Sequence, residues 1–342
     1  MLFLLELTYH IMMKKINLGI VGVTGLVGGE LIDILDKSNI EISLLRVFAS
    51  SKSKGKIIKF RSKKYKVKVL EEGCFDSLDV VLFTCGKDVS KVWVKEAIKS
   101  NCYVIDNSSY FRLDDDVCLL IPEVNDESFH NQKIISNPNC STIQSVLAIK
   151  CIDDLFGINK IIYNTYQSVS GGGKKLVDEL DRVLKGKHNV HLPYNLSKSL
   201  IPEIDTYTES GYTKEEMKMA LETKKIFNRN DLIISATCVR VPIKRTHAVS
   251  IYVECDKETD IDLLKEMYFK VQNIIILDDL RNHIYPVGEI AINNDFVYIG
   301  RIRKVDHNPN ALLLYVVSDN LRKGAASNMV EILNFLILKN IF

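Results

Sequence analysis

No stretch of the 342-residue chain approaches the ~20 consecutive apolar residues that span a bilayer, which argues against a membrane-spanning protein. No C-x-x-C pair occurs among the eight cysteines (74, 85, 102, 118, 140, 151, 238 and 255), and they lie scattered in apolar contexts. That pattern argues against a disulfide framework or a structural zinc site, so no metal is expected, and it fits a reducing, cytoplasmic setting. No charge of one sign dominates either. The formal net charge is +2 with both signs mixed, so no general affinity for nucleic acid or membrane surfaces follows. Internal repeats and low-complexity segments are absent too. The opening stretch to Met13 is apolar but short, lacks a basic leader, is interrupted by Glu6 and offers no small-residue cleavage site. A secretory signal is therefore not expected. Residues 1–12 are expected to lie outside the fold, with Met12 or Met13 a sensible alternative start.

The length suggests two domains, each able to bury its own core. From Lys15 onward strand and helix signals alternate. Ile16 to Val21, Leu44 to Phe48, Val80 to Phe83 and Tyr103 to Ile105 read as buried strands, with helical stretches such as Val89 to Lys99 between them. Such alternation predicts a parallel sheet covered on both faces. After residue 150 the strands lengthen and alternate, as in Lys160 to Gln167, Leu232 to Val241 and Val249 to Val253, which predicts a mainly antiparallel sheet. Lys185 to Lys198 reads as a polar excursion. Lys323 to Leu338 reads as an amphipathic helix that closes back onto the first domain. The expected division is 13–138 with 321–342, and 139–320.

The segment Asn137-Pro138-Asn139-Cys140-Ser141-Thr142 places a thiol on a turn that opens a helix, since Ile143, Val146 and Leu147 continue on one helical face. At a helix N-terminus, unpaired N–H groups and the helix dipole favour the thiolate, the form that attacks carbon. Taken alone, the segment also fits a small buried hydrophobe.

Gly22-Val23-Thr24-Gly25-Leu26-Val27-Gly28 follows the first strand and opens the first helix. Glycines there permit a tight turn, close approach to a phosphate and tight helix packing, as in dinucleotide-binding turns. Sites selective for NAD carry an acidic residue at the end of the second strand. Here that strand ends Ser50-Ser51-Lys52-Ser53, which would hold a 2′-phosphate, so NADP is the predicted cofactor. Lys56 and Lys59 read equally as a solvated loop.

Further polar segments surround the thiol in sequence: Thr165 to Lys174, with Gln167, Ser170 and Gly171 at a strand end; Glu215 and Lys218, one helical turn apart; Arg240, seven residues before His247; and Asp106 to Arg112, closing a parallel strand. Each has a plainer reading as a surface pair or strand-end residue.

Seven motifs taken together resemble the bacterial aspartate-semialdehyde dehydrogenase family. They are Gly-Val-Thr-Gly-Leu-Val-Gly (22–28), Asp-Asn-Ser-Ser-x-Phe-Arg (106–112), Asn-Pro-Asn-Cys-Ser-Thr (137–142), Tyr-Gln-Ser-Val-Ser-Gly (166–171), Gly-Tyr-Thr-Lys-Glu-Glu-Met-Lys-Met (211–219), Ala-Thr-Cys-Val-Arg-Val-Pro (236–242) and Ser-Asp-Asn-Leu-Arg-Lys-Gly-Ala-Ala (318–326). They run in order from Lys14 to the C-terminus. The resemblance implies a Rossmann-type NADP-binding domain and an α+β catalytic and dimerisation domain, in a homodimer or homotetramer. It implies reductive dephosphorylation of aspartyl phosphate to the semialdehyde, on the route to lysine, threonine and methionine.

Carried over by motif, Cys140 is the nucleophile and His247 the acid/base group, titrating near neutrality. Gln167 orients the intermediate, and Asn139 with the Cys140 N–H stabilises the oxyanion. Arg240 binds the α-carboxylate, Glu215 the α-ammonium, and Arg112 and Lys218 the phosphate. Ser170, Gly171 and Asn320 lie toward the cofactor. Two departures stand out: Arg245-Thr246 and Ala248-Val249 flank His247 unusually, and Gly172 replaces a frequent alanine, a change expected to be harmless. N-acetyl-γ-glutamyl-phosphate reductase shares the layout but carries Asn-Pro-Gly-Cys, and an acetylated substrate needs no partner for Glu215. An idle paralogue serving as a binding subunit would be marked by loss of the cysteine or histidine, and both Cys140 and His247 are present. A cysteine hydrolase is disfavoured by the nucleotide turn.

Overall fold

The computed structural model describes residues 14–342; the expectation for residues 1–12 lies outside the described residues. The chain divides into two compact units, one running to Pro138 and resuming at Ala325–Phe342, the other covering Asn139–Gly324.

The first unit contains β1 (Ile16–Val21), α1 (Leu26–Lys37), β2 (Ile42–Phe48), a hairpin of β3 (Ile57–Phe60) and β4 (Lys63–Lys66), β5 (Val80–Phe83), α2 (Lys87–Lys99), β6 (Tyr103–Asp106), β7 (Cys118–Leu119) and β8 (Ile134–Ser136). Its main sheet has the order β2-β1-β5-β6-β8-β7 with every pairing parallel. The two-residue period of a strand sends alternate side chains to opposite faces. On β5, Val80 and Leu82 join a core with Leu31 and Leu35 of α1 and Met329 and Leu333 of the C-terminal helix. Val81 and Phe83 join a second core with Val94 and Ala97 of α2. Both faces are thus covered, as the run of uninterrupted apolar strands predicts. The chain leaves β1 to opposite sides for β2 and β5, a switch point of the kind that opens a ligand crevice at the carboxyl ends of the strands.

The second unit contains α3 (Cys140–Phe156), β9 (Ile158–Gln167), α4 (Lys174–Leu184), α5 (Lys214–Phe227), β10 (Ile233–Arg240), β11 (His247–Cys255), α6 (Ile261–Tyr268), β12 (Ile274–Ile276), β13 (Val297–Val305) and β14 (Asn308–Ser318). Its sheet order is β10-β9-β11-β14-β13-β12. The central pairings are antiparallel, but β9 with β10 and β12 with β13 run parallel, so the sheet is mixed. Parallel neighbours need a long crossover, and α4, the polar excursion and α5 supply it between β9 and β10. One sheet face, with Tyr163, Ile251 and Leu314, is buried, and helices α3 and α5 pack against the sheet.

The C-terminal helix differs from expectation. A π-helical turn occupies Arg322–Ala326, and regular α-helix starts only at Ser327. Most of its positions are buried, including Met329, Val330, Ile332, Leu333 and Leu336, so it is a core helix of the first unit rather than a half-exposed amphipathic one.

Candidate active site

In the first unit the 22–28 turn is built as a cradle. Gly22 adopts φ +90°, open to glycine at little cost, and a Cβ at Gly28 would lie 2.3 Å from the Gly22 carbonyl oxygen. Gly25 is the N-cap of α1, and Leu26 and Val27 begin that helix half-buried. The Gly22 and Val23 N–H groups bond the Phe48 carbonyl, tying the turn to the end of β2. There Ser50 caps a single 3₁₀ turn, Ser51–Ser53, with Ser51 and Lys52 exposed and Ser53 buried. The Thr24 hydroxyl donates to Ser53 Oγ over 3.2 Å, so the two predicted nucleotide segments meet. At the end of β6, Asp106 accepts from Ser90 and Ser108, and the buried Arg112 donates to the Asn107 carbonyl.

In the second unit the thiol stands where the sequence places it. Asn139 is the N-cap of α3, its Oδ1 accepting from the Ser141 and Thr142 N–H groups at 2.9 and 3.3 Å, and Cys140, half-buried, is the first helical residue. That position presents an anion to the N–H groups of the first turn and to the helix dipole. A Cβ at Gly324 would lie 3.0 Å from Cys140 Cβ, so a side chain there would press on the nucleophile.

Strand register assembles the next group. Gln167 pairs with Arg240 on one side and with His247 on the other, and His247 pairs with Ser318 beyond. Residues in register across adjacent strands point to one face. All four are buried, forming one row at one end of the sheet.

A buried carboxylate joins that row to the thiol helix. Glu215 Oε1 accepts from Asn139 Nδ2 at 2.8 Å and Gln167 Nε2 at 3.2 Å, while Oε2 accepts from Lys218 Nζ at 3.0 Å. Burial works against its charge, but Lys218 and the two amide donors outweigh that and hold the pKa below the usual carboxylate range. Lys218 also donates to Asp205 at 3.0 Å. Burial lowers the pKa of Arg240 against the pull of Glu215 and Cys140, and its Nη1 donates to the Ser168 carbonyl over 2.6 Å.

His247 departs from the expected titration near neutrality. It is fully buried, and burial first and the Arg240 charge second push its pKa down to about 3; the Thr246 carbonyl and Glu215 pull the other way without offsetting them. The imidazole is neutral at pH 7. Its Nδ1 accepts from the Ser168 N–H at 3.1 Å. The unusual flanks have definite work. Arg245 Nε donates to the buried Asp319 at 2.6 Å, and Thr246 takes φ +77°, costly for a β-branched residue, with its N–H bonded to Asn320 Oδ1 at 2.9 Å. Gly171 faces the ring, since a Cβ there would lie 3.0 Å from His247 Nε2 and 3.1 Å from Arg240 Nη1.

The structure adds detail to three of these readings. The Asn139 side chain caps the helix through Oδ1 and donates one amide N–H to Glu215. Ser170 and Asn320, read as cofactor residues, bond each other behind His247. At Gly172 an added Cβ would lie 2.2 Å from Leu176 Cδ1, the end of a flexible side chain, so the glycine leaves Leu176 its present position. Glu222, Ser168 and Asp319 join the site without having stood out in the sequence. Glu222 accepts the Asn139 N–H at 2.6 Å and stands seven residues after Glu215, on the same helical face, so periodicity could have found it. Ser168 and Asp319 left no such signal.

Comparison with known proteins agrees with this architecture. Residues 17–132 match the model of the semialdehyde dehydrogenase NAD binding domain, and residues 149–323 that of the semialdehyde dehydrogenase dimerisation domain. The chain is 41% identical to the aspartate-semialdehyde dehydrogenase of Aquifex aeolicus over 94% of its own length and 98% of the relative's. It is 40% identical to that of Campylobacter jejuni, over 96% and 100%. The crystal structure of aspartate semialdehyde dehydrogenase II from Vibrio cholerae, complexed with ASA, superposes with a TM-score of 0.91 at 37% identity, covering 96% of this chain and 100% of that one. A fold shared along the whole chain, with sequence identity this high, leaves one conclusion: the chain belongs to the aspartate-semialdehyde dehydrogenase family.

Proposed function

We propose that this protein interconverts L-aspartyl-4-phosphate and L-aspartate-4-semialdehyde through a thioester on Cys140. The observation that carries the reading is the row Arg240–Gln167–His247, set by strand register beside the helix that Cys140 opens. In the reductive direction the Cys140 thiolate attacks the acyl carbon, the C–S bond forms and phosphate leaves with its bonding electrons. After reduction the resulting oxyanion re-forms its carbonyl and expels the thiolate. The Cys140 N–H, at the helix start, and His247 are the groups for that oxygen.

Substrate charge accounts for the remaining residues. Arg240 offers the α-carboxylate a planar fork, and Glu215, kept ionised, meets the α-ammonium. Lys218 serves phosphate, and Arg112 is assigned to phosphate by its motif. The ammonium partner separates this reading from an acetylated glutamate substrate, which has no charge for Glu215 to meet.

The residues fit NADP. The Gly22–Gly28 turn is too tight for a Cβ at Gly28 and opens α1, as a dinucleotide-binding turn does, and serines with Lys52, rather than a carboxylate, follow β2. NADPH supplies the hydride when bound. We assign cofactor binding to the first unit, with 22–28 and 50–53 as its contacts, and catalysis and assembly to the second. The dimerisation-domain match means that the chain oligomerises; we assign a homodimer or homotetramer. Among the described residues no helix is long and apolar enough to cross a membrane. We place the enzyme in the cytoplasm, acting on small molecules rather than nucleic acid or lipid.

The test is NADP reduction by the purified protein with aspartate semialdehyde, with and without inorganic phosphate. Phosphate-dependent NADPH formation supports the reading. Activity on the N-acetyl-glutamate semialdehyde alone, or a preference for NADH, overturns it.

A further inference from the structure

Charge is unevenly placed along this chain. The seventeen residues 52–68 hold eight lysines, Arg61 and no acidic side chain, so the rest of the chain is net −7 against an overall +2. They make up the β3–β4 hairpin and its flanks, directly after Ser50 and Ser51. All eight lysines are exposed, and among the described residues none of them enters an ion pair. Arg61, by contrast, is tied into the fold, its guanidinium donating to the Leu35 and Ser38 carbonyls. The register makes this clustering costly. Ile57, Lys59, Lys64 and Lys66 share the outward face of the hairpin, and Lys59 stands directly opposite Lys64. Like charges facing each other across paired strands destabilise them. Ile58, Phe60 and Tyr65, on the other face, pack into the core of the first unit and fix that register. Packing therefore does not account for the lysines. Their location does. The Lys56 N–H bonds the Ser53 carbonyl, the Gly55 N–H the Val67 carbonyl and the Ala49 N–H the Lys68 carbonyl, which holds the hairpin against the 50–53 turn. The Lys66 stem runs beside Gly55, its Cε 3.6 Å from where a Cβ would stand.

We propose that the β3–β4 hairpin is an electrostatic collector for the cofactor, whose lysines draw the dinucleotide anion toward the 50–53 turn and raise its association rate without holding it once bound. The proposal rests on the cofactor assignment above. A surface of one sign steers a ligand of the other, and salt removes the advantage by screening. The outward face carries no aromatic side chain, so it offers a field rather than a platform for stacking bases. Charge of this kind acts on arrival, whereas fitted contacts act on residence. NADPH and NADH share a pyrophosphate, and only NADPH adds the 2′-phosphate. The hairpin therefore discriminates between them at the encounter, before Ser50–Ser53 meet the phosphate.

The test is stopped-flow binding of NADPH to the full-length protein, followed by nicotinamide fluorescence, from about 10 to 500 mM salt. Wild type is compared with the variant Lys59→Gln/Lys64→Gln/Lys66→Gln. In wild type the association rate constant should fall about tenfold across that range. At low salt the variant should associate about fivefold more slowly, with its dissociation rate within about twofold of wild type, and the two proteins should converge at high salt. NADH should show a shallower salt dependence and a smaller loss in the variant. The variant should unfold at no lower a temperature than wild type, because the change relieves the Lys59–Lys64 repulsion. An unchanged association rate at low salt overturns the proposal. So does a loss carried by faster dissociation, which makes the lysines contacts, or a lower unfolding temperature, which makes them structural. If wild type binds NADH as tightly as NADPH, the cofactor assignment falls, and the salt dependence of NADPH arrival still decides whether the hairpin collects anions.

Discussion

Asn139 Nδ2 donates to Glu215 Oε1 over 2.8 Å, so the residue that caps the thiol helix also steadies the carboxylate assigned to the substrate ammonium. One side chain thereby couples nucleophile geometry to substrate binding. Replacing Asn139 with Ala removes the cap and the Glu215 contact together. Thermal unfolding should show a loss of about 1 kcal/mol from the cap. KM for aspartate semialdehyde should rise at the same time, because Glu215 keeps Lys218 and Gln167 but loses one of its two amide donors. A stability loss with unchanged KM would separate the two roles.

Cys140→Ser keeps the helix start and removes the soft nucleophile. Turnover should drop on the order of 10⁴-fold or more, with NADPH affinity retained in a fluorescence titration. Retained turnover would strip Cys140 of its assignment.

Gly324 tests how closely the thiol is confined. An alanine there would place Cβ 3.0 Å from Cys140 Cβ and 3.3 Å from the Cys140 carbonyl oxygen. The thiol must shift by a few tenths of an ångström. Steady-state assays should show kcat lower by about tenfold, with the fold intact by circular dichroism.

Arg240→Lys preserves charge but not the fork. The ammonium also cannot reproduce the 2.6 Å bond to the Ser168 carbonyl while reaching a carboxylate. KM for the semialdehyde should rise about 10- to 100-fold, with a smaller change in kcat. The opposite split would assign Arg240 to the transition state instead.

His247 gives stability a pH dependence of known sign. Its pKa is near 3 in the fold and ~6.5 in the unfolded chain, so the unfolded state binds more protons between those values. Stability contributed by the neutral ring is complete above ~6.5 and is lost as pH falls toward 3. Denaturant unfolding of wild type and His247→Asn from pH 7 to 4.5 should show the stability difference moving steadily in favour of the variant as pH drops. A constant difference would mean that the ring is not held neutral.

Motifs with local causes were legible before folding. A cap, a proline and an apolar face mark the Cys140 helix, and glycines between a strand and a helix mark the nucleotide turn, because both features depend on neighbours in the chain. Glu215 and Lys218 were legible as a pair for the same reason, being one helical turn apart.

The chain order of residues therefore settled the two-unit α/β architecture, the thiol at a helix start and the chemistry of the residue types. Folding settled their relations. Gln167 lies far from Arg240 and His247 in the chain and comes between them only through strand register, which no single segment encodes. The protonation of His247 is set by burial and by Arg240, and its Nδ1 accepts the main-chain N–H of Ser168, 79 positions away, a contact no local pattern signals. Burial and register are sums over the whole unit, whereas capping and periodicity are properties of a few successive residues; the first group can only be read once the chain has closed on itself.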